Sequence, residues 1–588
     1  MGKLEKLTDI LSRAVSEAFA GCGYDYSLGT VVVSDRLDLC QFQCNGSFAA
    51  AKLYKKPPLA VAGEVAARLE SDARIKSIEA VRPGFINITL TDEYLLEYLS
   101  AVNSDPSLGV PQDDSNKSIV MDYGGPNVAK SLHIGHLRSA IIGEAIKRIA
   151  RAMGITVYSD VHLGNWGTPM GLVIAEYSER HPEWACFRED FDPERDELPV
   201  LDPEELNEIY PYASAKSKQD EAFKEKAHRI TFELQSRRPG YYALWKQLVS
   251  ASVSDVKKIF GALNVDFDLW YGESDSDGYI PELVSILDSK GLLHESEGAL
   301  VVDVKREDDK ITVPPVIIKK SDSSSTYATT DLATIIQRER DYHPGKILYV
   351  VDKRQSLHFE QVFRCARMAE LVPEDTQLSF LGFGTMNGSD GKPFKTRDGG
   401  TMKLSELIRT ATDEALEKLR DSQYLSSDIE EIARKIGIAA IKFGDLSNQP
   451  SKDYIFDLGK FLSFDGKTGT YLLYTVTRIN SILSRAGIDS LSDLTPSGIY
   501  SDAEREIVLD IILSGEAYQK ALSDLAPSVL CDCAYNLASA FSRFYHDNRI
   551  LSEEDGEKRT SWLALCLITR RVLVKLLETL GIEPVEHM

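Results

Sequence analysis

Residues 118–123 read Ser-Ile-Val-Met-Asp-Tyr, a short apolar run that breaks at Gly124-Gly125-Pro126 and passes into Asn127-Val-Ala-Lys130-Ser-Leu-His133-Ile-Gly135-His136. Beyond it Leu137, Ile141, Ala145 and Ile149 recur at helical spacing, and residues 155–161 are again rich in β-formers. Strand, helix, strand predicts a unit of parallel sheet. At such a strand–helix junction the free backbone N–H groups and the positive end of the helix dipole favour an anion. His133 and His136 stand three apart, so a helical turn puts both imidazoles on one side, where they can donate to phosphate. Gly135 between them would let a flat base approach the backbone. A bare H-x-G-H is more often incidental, and its place directly after a strand and a turn gives it weight.

Composition narrows the setting. A chain of 588 residues is too long for one ordinary domain, and three to five are expected at ~100–200 residues each. With 43% hydrophobic and 27% charged residues the chain reads as globular, and its apolar runs fall short of the ~20 residues that a membrane span needs. Its charged first residues lack the apolar stretch of a signal peptide, so a cytoplasmic location without membrane partners is expected. A net charge of −23 argues against indiscriminate phosphate binding, so any nucleic-acid surface must be local. The closest cysteines, Cys40/Cys44 and Cys531/Cys533, do not form a C-x-x-C pair, which predicts reduced thiols and no metal site.

Along the chain, residues 1–110 mix helix-like and strand-like stretches, and 111–117 form a polar linker. The βα pattern of 117–403 is interrupted at about 176–240 by a charged, helix-prone insertion. It is expected to resume near 299–303 and again at 346–351. From 404 onward the pattern is almost wholly helical, divided here into 404–455 and 456–588.

The H-I-G-H tetrapeptide resembles the ATP-binding signature of class I aminoacyl-tRNA synthetases. About 260 residues further on, the Gly-rich cationic stretch Gly391-Lys392-Pro-Phe-Lys395-Thr-Arg397 stands where that class carries its second signature, K-M-S-K-S. The form of this stretch resembles that of arginyl-tRNA synthetases, and so do four further blocks. They run from Gly125 to Gly143, from His162 to Thr168 (His-Leu-Gly-Asn-Trp-Gly-Thr), from Phe464 to Tyr474, and over the terminal Gly-Ile-Glu-Pro-Val-Glu-His-Met. Gly124, Gly125, Pro169 and Met170 depart from the family pattern, and Asn165 stands where Asp is usual.

The resemblance implies a Rossmann-type α/β catalytic domain over 117–403. It also implies an N-terminal α+β domain over 1–110 for the tRNA D-loop, a helical stem-contact linker over 404–455 and an all-α anticodon-binding domain over 456–588. It implies ATP with Mg²⁺, L-arginine and a cognate tRNA as substrates, no tightly bound cofactor, and a monomer. By resemblance Asn127, His133, Gly135, His136, Lys392 and Lys395 bind ATP, with Lys130, His133, His136 and Lys395 stabilising charge on the triphosphate. Asp122, Asn127, Tyr327, Asp331 and Gln355 hold the arginine, since a planar cation with five donors asks for fork-like carboxylate acceptors. On residue type alone, Asp331 would serve equally as a helix N-terminal acid and Tyr327 as a packing residue.

Phe85 and Asn87 at one end, and Arg478 and Met588 at the other, are the implied tRNA contacts. An aromatic face with a nearby amide is how proteins read splayed RNA bases, although Phe85 could also be a core residue. Two rivals remain at this stage. A small-molecule adenylyltransferase shares H-x-G-H but needs no appended RNA-binding domains. A non-catalytic tRNA-binding relative would be expected to lack some of Lys130, His133, His136 and Lys395, all of which are present.

Overall fold

The computed structural model describes residues 4–34, 36, 39–128, 130–321, 325–388, 390–392, 402–421, 426–489 and 494–588. Near the N-terminus, alternating apolar and polar residues build an antiparallel sheet from β1 (Val31–Val33), β2 (Phe42–Cys44), β3 (Ile75–Val81) and β4 (Phe85–Leu90), ordered β1-β2-β4-β3. In β4 the period of two sends Ile86, Ile88 and Leu90 into a core shared with Leu11, Phe19, Val61 and Val65 of the covering helices. Phe85, Asn87 and Thr89 are left half-buried on the other face. Val32, Gln43, Asn87 and Glu79 lie side by side across that outward face.

Strand β5 (Ile119–Tyr123) leads into the helix Ile134–Ala152 and returns as β6 (Val157–Asp160). The helices Thr168–Arg180, Pro203–Lys216, Glu221–Gln235 and Pro239–Ala262 follow, and after them the shorter Glu273–Ser276 and Ile280–Ser289. The helical interruption of the βα pattern therefore starts earlier and ends later than the charged stretch alone suggests. Next come β7 (Leu293–Ser296), β8 (Ala299–Val302), β9 (Val316–Lys319), the helix Tyr327–Tyr342, β10 (Lys346–Asp352) and β11 (Gln377–Phe383). The parallel sheet has the order β11-β10-β5-β6, and its central strands are buried apolar runs, as a sheet covered on both faces requires.

The expectation that the nucleotide-binding alternation resumes at 299–303 is corrected here. Strand β8 lies in a separate antiparallel sheet, β7-β8-β9. The reason is local: β7 and β8 are joined by two residues, Glu297 and Gly298, both in the left-handed region (φ 52° and 80°). Such a turn closes a hairpin, whereas parallel neighbours need a crossover of a dozen residues or more. Strand β10 does join the parallel sheet as expected.

After a two-residue parallel pairing of β12 (Met386–Asn387) with β13 (Tyr454–Ile455), the remainder is helical. The helix Gly556–Thr579 is buried on several sides and touches three other helices of the C-terminal bundle as well as Ile134–Ala152. The N-terminal domain docks on this bundle through Asp92 with Arg505 (2.6 Å) and Arg571 with Asn103 (2.9 Å). Gly515 packs so closely on the Gly109 carbonyl that an added Cβ would lie 2.0 Å from its oxygen. All eight cysteines are free, and among the described residues no helix is long and apolar enough to cross a membrane.

Candidate active site

The C-terminal ends of β5 and β10 are neighbours in register, with Asp122 opposite Tyr349 and Tyr123 opposite Val350. Ser139 ties them together: its Oγ donates to the Val350 carbonyl (2.6 Å) and accepts from the Gly124 N–H (2.8 Å). Gly124 has φ +77°, and a Cβ on Gly125 would stand 2.7 Å from the His162 carbonyl oxygen and 2.9 Å from that of Val161. This close approach accounts for Gly125 where the family pattern has a larger residue. Ligands in such sheets sit outside the carboxyl ends of the strands, and Asp122, Asn127 and Gln355 lie at or just beyond the ends of β5 and β10.

His133 is the N-cap of the helix Ile134–Ala152. Its Nδ1 accepts from the Gly135 N–H (3.0 Å), while His136 Nδ1 accepts from the His133 N–H (3.1 Å). The rings lie 4.0 Å apart. Because both Nδ1 atoms are acceptors, each neutral imidazole carries its proton on Nε2, which leaves one N–H donor on each ring. Burial, and then the charges of His133 and Lys130, push His136 down to about 3, while burial and Lys130 lower His133. Both therefore stay neutral donors at physiological pH. Gly135 differs from expectation in its local reason: a Cβ there would sit 2.7 Å from His133 Cε1, so the glycine first makes room for the ring.

Lys130 lies over the ring of Tyr210, 4.5 Å from its centroid, on an inserted helix. Lys392 is exposed, in a turn closed by the Gly388 N–H on its carbonyl (2.8 Å). Lys395 lies outside the described residues. The chain that follows it returns to the signature helix, with the Ile134 N–H donating to the Met402 carbonyl (3.1 Å) and the Leu404 N–H to that of Leu132 (2.9 Å).

On the other side of the junction Asp122 is buried, and its Oδ2 accepts from Arg338 Nη2 (2.6 Å), which also bonds Asp160 Oδ2 (2.8 Å). One carboxylate oxygen of Asp122 is thus committed within the protein. Burial raises its carboxyl, opposed by the Arg338 charge. Asp331 and Tyr327 occupy the first turns of the helix Tyr327–Tyr342; Asp331 Oδ2 lies 2.6 Å from His358 Nε2, and Tyr327 is 64% exposed. Gln355 ends the turn after β10 and is exposed. The charges of Asp122 and Asp331 both bear on Tyr349 between them. Asn127 pairs with Gly164 across the junction.

Beside Tyr327 opens a cavity of about 580 Å³ whose walls include Trp166, Glu273, Lys320 and, from the insertion, His228 and Phe232. Sequence reasoning missed Glu273, whose carboxyl burial and the Asp331 charge hold at about 7 against the pull of His162 and a backbone N–H. No motif flags it. The loop is set by Asn165, whose amide both donates to Ser274 Oγ (2.9 Å) and accepts from the Ser274 N–H (3.0 Å). A carboxylate could accept from the Ser274 N–H and O–H in the same place, so these contacts do not explain Asn165 where Asp is usual.

At the N-terminal end, Asn87 Oδ1 accepts from Gln43 Nε2 (2.9 Å), and Phe85 packs edge-on against Phe48 (5.1 Å), so Phe85 is neither free nor core. At the other end Arg478 sits against the rings of Tyr474 (4.6 Å) and Tyr545 (5.1 Å). With Met588 they line a cavity of about 770 Å³.

The fold and this junction define a class I aminoacyl-tRNA synthetase. Residues 99–458 match the family model described as tRNA synthetases class I (R), catalytic domain. Residues 5–90 match the arginyl tRNA synthetase N terminal domain, and 472–588 the DALR anticodon binding domain. The chain is 47% identical to the arginine–tRNA ligase of Alkaliphilus oremlandii and 46% identical to that of Agathobacter rectalis, in both cases over the whole of each chain. The chain belongs to the arginine–tRNA ligase family. In fold it is similar to the arginyl-tRNA synthetases of Plasmodium falciparum (TM-score 0.84, 24% identity, all of both chains) and Thermus thermophilus (TM-score 0.78, 23% identity, 99% of this chain and all of the other).

Proposed function

We propose that this chain joins arginine to its cognate tRNA in two steps, forming arginyl-adenylate and pyrophosphate from arginine and ATP and then esterifying the terminal ribose. The observation that carries the reading is the pair of neutral imidazoles at a helix N-terminus whose Nδ1 atoms are taken by backbone N–H groups, which leaves both Nε2–H groups as donors for a triphosphate. ATP enters with Mg²⁺ as a substrate complex. Asn127, Gly135 and Lys392 complete the nucleotide contacts, and Lys130 and Lys395 take up the charge that moves to pyrophosphate. The reaction is an in-line displacement at the α-phosphate, so the protein chiefly positions the reactants and neutralises charge.

The arginine side chain enters towards Asp331 and Tyr327, with Gln355 and Asn127 on its backbone groups. Asp122 contributes its uncommitted oxygen, because Arg338 already occupies the other. The cavity beside Tyr327 leaves room for the acceptor end of the tRNA. Residues 1–110 with Phe85 and Asn87, and 456–588 with Arg478 and Met588, are the RNA-binding ends. Residues 117–403 do the chemistry, with 404–455 between. The enzyme acts as a cytoplasmic monomer. Adenylate formation depends on bound tRNA, which shifts the site to a closed conformer through its higher affinity for that state.

The test is ATP–pyrophosphate exchange with each of the twenty amino acids, with and without total tRNA, on ribonuclease-treated enzyme. Exchange with arginine alone, and only when tRNA is present, is the expected result. Exchange with another amino acid would overturn the specificity, and strong exchange without tRNA would overturn the coupling.

A further inference from the structure

Arg138 follows the two histidines in the signature helix and is 2% exposed. Its Nη1 donates to the carbonyls of Gly384 (2.7 Å) and Lys452 (3.1 Å). These carbonyls belong to two segments that are zipped together. The Gly384 N–H donates to Pro450, Tyr454 N–H to Thr385 and Phe456 N–H to Asn387. The first segment runs straight into the turn of Gly388 and Lys392. Arg138 Nε lies 3.0 Å from Asp445 Oδ2, which also accepts from the Tyr454 hydroxyl (2.8 Å). The guanidinium is 5.0 Å from the Tyr454 ring centroid. The Cα–Cβ walls around it are tight, since a Cβ on Gly384 would stand 2.5 Å from the Lys452 carbonyl.

The signature helix therefore holds both ends of the segment that carries Lys392 and Lys395: the near end through Arg138 on Gly384, the far end through Ile134 on Met402. A buried arginine with a buried carboxylate is expensive to assemble, and replacement by apolar residues is often neutral or better for stability alone. A guanidinium whose Nη1 bonds two carbonyls at once while a buried carboxylate lies 3.0 Å from its Nε is, by contrast, a good device for setting a distance.

We propose that Arg138, held by Asp445, is a positioning residue for adenylate formation: it sets the base of the second ATP signature at a fixed distance from His133 and His136. This rests on the reading that Lys395 acts at the triphosphate. Arg138 touches no substrate. A misplacement of about 1 Å in a reacting geometry costs up to ~100-fold, and that is the scale expected. Asp445 lies on the helix Ile429–Leu446, which packs against both the helix Leu404–Asp421 and the helix Gly469–Arg485, so the same pair ties the signature to the C-terminal helices.

The experiment is a double-variant cycle in tRNA-saturated ATP–pyrophosphate exchange, with Asp445→Asn, Lys395→Ala and the two combined, alongside thermal unfolding and arginine binding by calorimetry. Asp445→Asn is expected to lower kcat ~10- to 100-fold with arginine affinity within ~2-fold of the parent, and to add little to Lys395→Ala, because both act on one contact. If Asp445→Asn does not fold, Arg138→Lys takes its place: it keeps the charge but removes the Nε that faces Asp445, and the same loss and the same lack of additivity are expected. Multiplying effects, or a loss of stability with unchanged kcat, would overturn the proposal and leave the reading of Lys395 standing. Normal exchange by Lys395→Ala alone would overturn that reading and the proposal with it.

Discussion

The two nitrogens of His136 do different work, and substitutions can separate them. Nδ1 accepts the His133 N–H and helps close the helix, whereas Nε2–H is the donor left for a ligand. In His136→Asn the side-chain oxygen stands close to the Nδ1 position, so the cap is kept and the donor is lost. In His136→Gln the amide reaches towards the Nε2 position, so the donor is kept and the cap is lost. A preorganised donor to developing charge contributes ~2.7–4 kcal/mol to the barrier, and a cap ~0.5–2 kcal/mol to stability. His136→Asn should therefore lower the rate of adenylate formation ~10²–10³-fold with a nearly unchanged unfolding midpoint. His136→Gln should lose less than ~10-fold in rate and unfold more easily. Because burial and neighbouring charge hold His136 at about 3 in the folded protein, it stays neutral from pH 5 to 8 and produces no acidic limb in kcat. With a folded pKa below the ordinary ~6.5, its contribution to stability is present above pH ~6.5 and is lost as pH falls towards 3, at ~1.4 kcal/mol per unit. Pyrophosphate exchange across pH, with urea unfolding of the same samples, reads both quantities. An Asn variant with near-parental exchange, or a limb near pH 6 that disappears in that variant, would refute the assignment of the two nitrogens.

Asp331→Asn should weaken arginine binding ~30- to 1000-fold by calorimetry and leave ATP affinity within ~2-fold, since it removes the charge facing a buried guanidinium; equal losses for both ligands would make Asp331 structural. His162 is pulled down by burial but raised further by its bond to Asp160 and the charges of Asp122 and Asp160, reaching about 8. Its contribution is full below pH ~6.5 and lost as pH rises through 8, so the stability gap between the parent and His162→Asn should shrink from pH 6.5 to 8.5, and a gap that widens would contradict the sign. Gly125→Ala would drive a methyl against two backbone carbonyls at 2.7 and 2.9 Å, which should cost ~1–3 kcal/mol in chemical denaturation; an unchanged midpoint would show that the junction relaxes.

What could be read from the chain follows from the range of the forces involved. The alternation in β4 predicts which side chains leave the core, and the structure keeps Phe85 and Asn87 on the outward face because a pleat offers no other solution. The strand at 118–123, the helix through Leu137 and Ile149 and the strand at 346–351 were legible for the same reason: each is a local period set by one buried face. Strand β8 misled because its composition is that of any apolar strand and says nothing of its partner. The partner is dictated by Glu297-Gly298, a two-residue hairpin signal lying between two short apolar stretches. Weighing that dipeptide ahead of the apolar run would have given an antiparallel pair.

The candidate site divides along the same line. Its phosphate-facing half is contiguous in sequence, from Asn127 to His136, because a strand–turn–helix junction supplies the anion-binding groups from one stretch of chain. Its other half is assembled from residues far apart. Asp122 at the end of β5 and Asp160 at the end of β6 meet on Arg338, a side chain of the helix Tyr327–Tyr342, and Glu273 lies on a loop where Asn165 holds Ser274 with both ends of one amide. A carboxylate chosen by sequence as a ligand for a guanidinium can thus be half-occupied by a guanidinium of the protein itself. That is the case for Asp122, whose Oδ2 is taken by Arg338, so on the proposed reading the charge for an incoming arginine falls more on Asp331, whose Oδ2 lies against His358 Nε2. On that reading, selectivity for a planar cation rests on a carboxylate paired with an imidazole 27 residues away, a relation that leaves no periodic trace in the sequence.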